Sequence, residues 1–297
     1  MSSRHLQIHE RFSLEKTRMV MSFTGWMDGG EVSTGVVKYM VETLDARACA
    51  TIDPEDFYIY HFPGSMEISA LLRPTARIEQ GLVTNFEGPR NVFHADPLNN
   101  LLFFEGREPN MKWAEYAEAV FAAAEEFDVR AIYFVGSVSG LIPHTRNPVF
   151  WSSTTSEEMR DFVVRHSLSP TNYEGPASFG TFLAVEAKKR GLEMATVVAA
   201  IPSYVDGRNV RCIEAAAQKI VDLLGIHLDM DELHSESQAW VKGVSKLVGK
   251  RKDLAEQIRK LEEFYDNQLR SNTTQNETGA NNDDLRSWFQ RQNLKLE

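Results

Sequence analysis

The chain has 297 residues, of which 42% are apolar and 25% are charged, and its formal net charge at pH 7 is −10. These proportions exclude a chain that is disordered throughout, and the negative charge predicts no nucleic-acid partner, since phosphate backbones would be repelled. The longest apolar runs, such as residues 195–201, are far shorter than the ~20 residues of a membrane-spanning helix, so we also predict no membrane partner.

In the first half of the chain, apolar segments with strand character alternate with amphipathic helical segments. The first strand is followed by a glycine and by Asp28, which lies three positions before Glu31, the spacing of a helix capping box. The predicted strands are 17–24, 48–52, 57–60, a pair within 77–86, and 100–104, and the predicted helices begin at Asp28 and at Met111.

The second half continues the same alternation. Residues 130–135 (RAIYFV) form the clearest strand, and the aperiodic stretch 136–153 after it predicts a long functional loop. Further predicted elements are helices over 155–164, 178–190 and 209–224 and a strand over 194–200. This order predicts an α/β fold over residues 1–228, with a mostly parallel or mixed sheet and helices on both faces.

The rest of the chain has a different pattern. Apolar residues recur every seven positions over 229–270, which predicts an amphipathic helical extension that kinks at Gly243 or Gly249. Two interpretations remain open, since such a helix can pack on its own body or grip another subunit. Residues 271–297 are predicted to be a disordered linker and tail in which 285–289 could act as a docking peptide.

The two cysteines indicate a reducing compartment. Cys49 and Cys212 are far apart and have no companions at metal-ligand spacing, so we predict neither a disulfide nor a metal site. Residues 1–10 do not have the apolar core of a signal peptide, so we expect a cytoplasmic protein. We identify no catalytic motif and no cofactor-binding motif. In the stretch 136–140 (GSVSG), which resembles a nucleophile elbow, Val138 stands where the serine is needed.

Polar residues cluster instead in loops that would follow the strands of a parallel sheet, where α/β proteins build ligand crevices. We predict one convergent crevice in which an arginine and the backbone N–H groups of residues 177–179 could hold an anion. The candidate crevice residues are Trp26, Asp28, Glu31, Arg73, Glu105, His144, Arg146, Tyr173 and Glu174.

Each of these residues also has a purely structural interpretation. Asp28 is most simply a helix N-cap, and Trp26 could be a partly buried plug. His144, between a proline and a threonine, could be a hydrogen-bonded hinge. The two arginines could pin long loops by pairing with acidic residues; the pairs considered join Arg73 or Arg146 to Glu105 or Glu174.

Several of these segments together resemble the proteasome assembly chaperone 2 family, in particular its bacterial and archaeal branch. They occur in family order between residues 17 and 224: 25–31 (GWMDGGE), 53–58 (DPEDFY), 73–74 (RP), 105–109 (EGREP), 136–148 (GSVSGLIPHTRNP), 173–176 (YEGP) and 201–205 (IPSYV). The resemblance implies a phosphorylase- or hydrolase-like α/β core, frequent homo-oligomers, and a role nearer to assembly than to catalysis. It carries over no catalytic residues.

The sequence departs from the family pattern in three places. Met27-Asp28-Gly29-Gly30 stands where the family usually has Asn-Asp-Ala-Gly, and Asn147 intervenes before Pro148. The resemblance also implies that archaeal members dock on proteasomes through a penultimate tyrosine. Here the sequence ends 294–297 (LKLE), so we do not expect docking by that route.

Three functional hypotheses follow. The leading one is a non-catalytic, homo-oligomeric cytoplasmic protein that binds a protein partner and a small anion. The second is a phosphorylase- or hydrolase-like enzyme in which Asp28, Glu105, His144 and Arg146 supply the base, its orienting group and an anion clamp. The third is a metabolite-sensing module, whose ligand would raise the melting temperature without being consumed.

Overall fold

The structure, a computed structural model, describes residues 3–61 and 63–274. Within these residues, nine strands form one mixed sheet and two more form a separate hairpin. The strands are β1 (Leu6–Ile8), β2 (Thr17–Thr24), β3 (Arg47–Ile52), β4 (Thr75–Glu79), β5 (Leu82–Glu87), β6 (Val92–Asp96), β7 (Leu101–Arg107), β8 (Val129–Gly140), β9 (Phe150–Ser152), β10 (Ser169–Pro170) and β11 (Glu193–Pro202).

The strand order in the large sheet is β1-β3-β6-β7-β2-β8-β11-β9-β10. Its centre, from β7 to β11, is parallel, while β1, β3 and β6 add antiparallel pairs on one side and β9 pairs antiparallel with β11 on the other. Because the four central strands are parallel, their carboxyl ends meet at one edge of the sheet. The loops that follow Thr24, Arg107, Gly140 and Pro202 therefore lie side by side there.

Eight α-helices accompany the strands in the described part of the chain. They are α1 (Val32–Thr43), α2 (Met66–Leu72), α3 (Trp113–Glu126), α4 (Glu157–Arg165), α5 (Phe179–Lys189), α6 (Val210–Leu224), α7 (Asp231–Val248) and α8 (Lys252–Thr274). None of them, within 3–61 and 63–274, has both the length and the apolar character to cross a bilayer.

Side-chain alternation along the central strands creates two cores. On β2, Met19, Met21 and Phe23 face a core completed by α3 and α5, whereas Val20 faces a second core completed by α1, α4 and α6. Successive residues of a strand point to opposite faces, so a strand buried on both sides is apolar almost throughout. The predicted α/β fold, with a mixed sheet and helices on both faces, is confirmed.

Some predicted element boundaries are wrong. Residues 57–60 are not a strand, because Phe57 and Tyr58 instead anchor a loop through Asn110, Asn91 and the backbone of Arg107. The strand predicted to end at residue 104 continues to 107, since its neighbour β2 offers pairing partners as far as Thr24.

The long loop predicted after residue 135 is shorter than expected. Strand β8 runs on to Gly140 because β11 pairs with it along its whole length. Strand β9 then occupies part of the remainder, which leaves residues 141–149 as the loop.

The heptad region forms two helices rather than one. Helices α7 and α8 are separated at residues 249–251, and this break includes Gly249, one of the two glycines at which a kink was predicted. Leu233 of α7 belongs to the core under α6, and Tyr265 of α8 packs against Ile142 and Ala200. In the structure the extension therefore contacts the α/β body. Helix α8 continues to Thr274, past the predicted start of the linker, and residues 275–297 lie outside the described part.

Candidate functional site

The chain turns sharply where β2 ends, and the carboxylate of Glu108 holds this turn in place. Its Oε2 atom accepts a hydrogen bond from the backbone N–H of Trp26 (2.9 Å), and its Oε1 atom accepts one from the backbone N–H of Phe179 (3.0 Å). Gly25 has φ +134°, and a Cβ atom there would lie 3.0 Å from Glu108. A glycine therefore permits the close approach on which this bridge depends.

This bridge changes the prediction for the start of α5. We expected the free N–H groups of residues 177–179 to hold a ligand anion, but Phe179 donates to Glu108, and Thr181 donates to the N-cap Ser178 (3.1 Å). The chain's own carboxylate thus occupies the position at the helix N-terminus that the helix dipole favours for a negative charge. Glu108 was missed among the candidate residues, although it lies within the EGREP segment.

Beside this bridge lies an open pocket of about 860 Å³. It brings together two of the predicted residues, Trp26 and Arg73, although they are far apart in the sequence. The indole of Trp26 is 67% exposed at the pocket wall. The lining residues are Thr24, Gly25, Trp26, Ala70, Arg73, Thr75, Arg107, Glu108, Pro109, Asn110, Trp113 and Ala177.

Tyr173 and Glu174 precede this region but do not line the pocket. The Tyr173 hydroxyl donates to the backbone carbonyl of Pro176 (3.0 Å), which closes a local turn, and its ring is 61% exposed. Glu174 is also exposed.

Asp28 and Glu31 lie on the loop between β2 and α1. Asp28 accepts hydrogen bonds from the backbone N–H (3.1 Å) and the hydroxyl (2.8 Å) of Thr34, six residues ahead, rather than from the third residue of a capping box. The cause is an intervening 3-10 turn over Gly29–Glu31, in which Glu31 adopts a left-handed conformation. Burial raises the pKa of Asp28 from 3.8 to about 6, and the bonds from Thr34 oppose that shift.

Glu105 lies within β7, under α1. Its carboxylate is 4.0 Å from Nδ1 of His94. Burial raises the pKa of Glu105, and Lys38 opposes this. Burial also lowers the pKa of His94, so both partners are shifted toward their neutral forms.

His144 lies in the loop after β8 and is buried. The backbone N–H of His144 donates to the hydroxyl of Tyr204 (2.7 Å), which in turn lies 2.8 Å from Nδ1 of the same imidazole. We assign the tautomer in which Nδ1 accepts the Tyr204 proton and Nε2–H donates to the hydroxyl of Ser245 of α7 (2.9 Å). Burial lowers the pKa of His144, against the opposing charge of Glu262.

Arg146, in the same loop, pairs with α8. Its Nε and Nη2 atoms each lie 2.8 Å from an oxygen of Asp266, which is the bidentate geometry of a strong charged pair. Glu262 lies 3.7 Å from the same guanidinium and also accepts a hydrogen bond from Thr145. Arg146 therefore pairs with the extension and not with Glu105 or Glu174, the partners considered from the sequence.

The predicted residues are thus divided among several environments. Trp26 and Arg73 line the open pocket, while His144 and Arg146 bind helices of the chain itself. In the described residues, no hydrogen bond or ion pair joins Asp28, Glu105 and His144 to one another. No three side chains of His, Cys, Asp or Glu in 3–61 and 63–274 are grouped so that they could share a metal ion.

Comparison with known proteins places the chain in a family. The model of the PAC2 family matches residues 22–248, which include all four loops of the carboxyl edge described above. The chain belongs to the PAC2 family. The proposed resemblance is therefore confirmed. No curated protein matches the chain.

Solved structures of PAC2-type proteins have the same fold. A PAC2 family protein from Streptomyces avermitilis is 25% identical, with a TM-score of 0.70 over 81% of this chain and 98% of that one. A proteasome-assembly chaperone homologue from Mycobacterium tuberculosis is 23% identical, with a TM-score of 0.70 over 81% and 99% of the two chains. An archaeal proteasome activator from Pyrococcus furiosus is 16% identical, with a TM-score of 0.61 over 82% and 97%.

Proposed function

We propose that this PAC2 family member is a non-catalytic, chaperone-like protein that binds another protein through the β4–β5 hairpin and the pocket beside it. The observation that carries this proposal is an apolar hairpin face open to solvent. All residues of both strands are exposed, including Ile78, Val83 and Phe86, which are each about two-thirds exposed.

The pairing of the two strands places these side chains on one face. Ala76 pairs with Phe86 and Ile78 pairs with Val83, across a bulge that accommodates one extra residue in β5. Since alternate residues of a strand share a face, Ala76 and Ile78 lie on the same side of the hairpin, opposite Arg77. The hairpin is amphipathic, yet its apolar face has no counterpart in the described body.

Energetics favour a partner for this face. A two-stranded hairpin is marginal on its own in water, and unpaired strand edges readily accept another chain. Contiguous exposed apolar patches on otherwise soluble domains commonly mark protein-binding surfaces. Because Ala70 and Thr75 line the pocket, the hairpin and the pocket form one continuous surface.

The comparisons support the same role. The structural relatives include proteins described as a proteasome-assembly chaperone homologue and an archaeal proteasome activator, and these descriptions support a role in binding another protein. We extend this role to the present chain as a homo-oligomeric, cytoplasmic binder, with a proteasome core particle as one partner to test. The positive charge of Arg73, which lines the pocket, favours an acidic side chain or a small anion from the ligand.

The contacts of the predicted catalytic groups favour binding over catalysis. His144 and Arg146, the proposed clamp of the enzyme hypothesis, have their polar atoms engaged by Tyr204, Ser245 and Asp266. The lining of the pocket that is open to solvent includes two tryptophans, two arginines and Glu108, whose carboxylate already accepts backbone hydrogen bonds. This mixture suits recognition of a peptide.

The test compares three tagged full-length proteins in the cells that produce them: wild type, Ile78→Ser/Phe86→Ser, and Leu98→Ser. Leu98 is 90% exposed in the turn between β6 and β7, at the opposite end of the sheet, so it is a matched control. We expect quantitative mass spectrometry to show a protein recovered with wild type and Leu98→Ser and reduced at least tenfold with the double variant. Light scattering of the purified protein measures the subunit number and so tests the proposed homo-oligomer. Equal recovery by all three proteins contradicts the proposed surface.

A further inference from the structure

We infer that the pocket and the apolar hairpin face receive the chain's own segment 285–289 (LRSWF). This inference rests on the proposed function, because it identifies what occupies the binding surface when no partner is present. The structure describes the surface that would receive the segment. Trp26, Trp113 and Arg73 line the pocket, and Ile78 and Phe86 are exposed on the adjoining hairpin.

The segment has the composition that such a receptor needs. Residues 275–284 (QNETGANNDD) contain no large apolar side chain, whereas Leu285, Trp288 and Phe289 follow directly. Their spacing of three and four positions is that of anchors which enter an apolar groove from one face of a helix. Two aromatic side chains that bury roughly 150–250 Å² each suit a pocket of about 860 Å³.

The tether is long enough to reach the pocket within one molecule. Tyr265 packs over the end of β11. The pocket lies over β2 and β7, which are two and three strand spacings away from β11 in the sheet. With ~4.8 Å per spacing and ~10 Å between layers, the distance is roughly 17 Å. The remaining turns of α8 to Thr274 add at most about 13 Å. Ten extended residues span about 33 Å, so residues 275–284 can bridge this distance whichever way α8 points.

Charge favours the same arrangement. Asp283 and Asp284 immediately precede the apolar anchors, and Arg73 and Arg107 line the pocket that would receive them. A ten-residue tether also holds the segment at an effective concentration on the order of millimolar. Even a weak contact is then occupied most of the time, so the segment would compete with a protein partner for the surface.

The first experiment maps the contact in the full chain. A photo-crosslinking amino acid with an aromatic side chain, which keeps an apolar ring at the anchor position, is placed at position 288, and a second protein carries it at position 294, six residues further on, as the matched control. We expect crosslinks from position 288, within single chains, to the segments 24–26, 70–75 or 78–86, and fewer from position 294. Mixing isotopically heavy and light chains distinguishes contacts within a chain from those between copies. Crosslinks only to other segments, or only between chains, overturn the inference.

The second experiment measures competition with a labelled peptide spanning residues 281–292. Its binding to full-length wild type is compared with binding to Trp288→Ala/Phe289→Ala and to Leu294→Ala/Leu296→Ala. We expect the first variant to bind the peptide at least tenfold more tightly than wild type, because its own segment no longer occupies the pocket, and the second to behave as wild type. Adding Arg73→Ala to the first variant should weaken peptide binding several-fold.

Equal affinity of the peptide for wild type and Trp288→Ala/Phe289→Ala contradicts the inference, as does the absence of binding to both. These results are separable from the proposed function. If Ile78→Ser/Phe86→Ser loses its partner protein while the crosslinks from position 288 lie elsewhere, the binding surface stands and only its occupant is wrong.

Discussion

Two neighbouring regions at the carboxyl edge of the sheet differ in what contacts their polar groups. Around His144 and Arg146, helices α7 and α8 cover the loop and supply Ser245 and Asp266 as partners. Around Trp26 and Arg73, the residues that the structure describes leave an open pocket, which continues into an exposed hairpin. The first region joins the extension to the body, and the second presents a surface to solvent.

The difference shows that polar residues after parallel strands do not by themselves make a ligand site. Where the chain itself supplies a partner for each donor and acceptor, the residues contribute stability. Where aromatic and apolar side chains stay exposed, binding is the simpler explanation. Substitutions in the first region should therefore change the free energy of unfolding, and those on the hairpin should change binding.

The largest loss of stability is expected at the turn that frames the pocket. Gly25→Ala places a Cβ atom at a positive φ and against Glu108, so the unfolding free energy should fall by about 3 kcal/mol. Gly207 also has a positive φ, +79°, but has no neighbour within 4 Å of a built Cβ, so Gly207→Ala should cost only about 1 kcal/mol. Urea denaturation measures both. Equal losses would mean that the contact with Glu108 is not the determining factor.

The next largest change in unfolding free energy is expected at the ion pair between the body and α8. A double-mutant cycle with Arg146→Ala and Asp266→Ala should give a coupling energy of about 1 kcal/mol, because the pair is bidentate and partly buried. The exposed pair Arg259–Glu263 within α8 is the control and should give about 0.3 kcal/mol. A coupling no larger than the control would show that the pair does not hold α8 in place.

The pH dependence of stability should include a contribution from the titration of Asp28, whose carboxyl group is partly buried. Its pKa is raised in the folded state, from 3.8 to about 6, so the stabilisation is complete below pH 3.8 and is lost as the pH rises through 6. The loss should be about 1 kcal/mol, since a partly exposed group is screened by solvent. Asp28→Asn should remove this fall between pH 4 and 7. An unchanged pH profile would contradict the assignment.

His144 should act in the opposite direction. Its pKa is lowered in the folded state, so its contribution is complete above pH 6.5 and is lost as the pH falls below that value. Protonation adds a donor at Nδ1, where the Tyr204 hydroxyl already donates. His144→Gln should flatten the decline of stability on the acidic side of pH 6.5 in chemical denaturation. Tyr204→Phe keeps the imidazole of His144, so part of that decline should remain. A decline that is identical in wild type and His144→Gln would exclude this role.

The smallest change in stability is expected on the hairpin. Ile78→Ser/Phe86→Ser alters side chains that are already exposed, so its unfolding free energy should stay within about 0.5 kcal/mol of wild type. A loss of several kcal/mol, measured by the same denaturation, would show that the hairpin packs against the body in solution.

Sequence patterns predicted much of the fold, for identifiable reasons. Strand β2 and helix α6 have strong apolar periodicity and clear ends, so they were predicted almost to the residue. Strand β6 was not predicted, because VFHAD is short and its pairing with β3 depends on residues that are distant in the chain. Helix α2, which has seven residues, was not predicted either.

The candidate site was only partly accessible to sequence analysis. The segments 25–31 and 105–109 contain the residues that form the turn and its bridge, and Trp26 and Arg73 were both identified. Glu108 and Trp113 were not identified as site residues, because their roles depend on contacts with Gly25 and Phe179, which are distant in the chain. Sequence periodicity carries no information about such contacts.

The sequence alone determined that this protein has an α/β body with an amphipathic extension, since strand and helix periodicities are local properties of the chain. It also identified the family, because several segments that resemble the family pattern occur in family order along the chain. Only the tertiary structure decided which polar loops are covered and which remain open. That outcome depends on where α7 and α8 pack and which carboxylate reaches each cation, and these are distances between residues more than one hundred positions apart, such as Arg146 and Asp266.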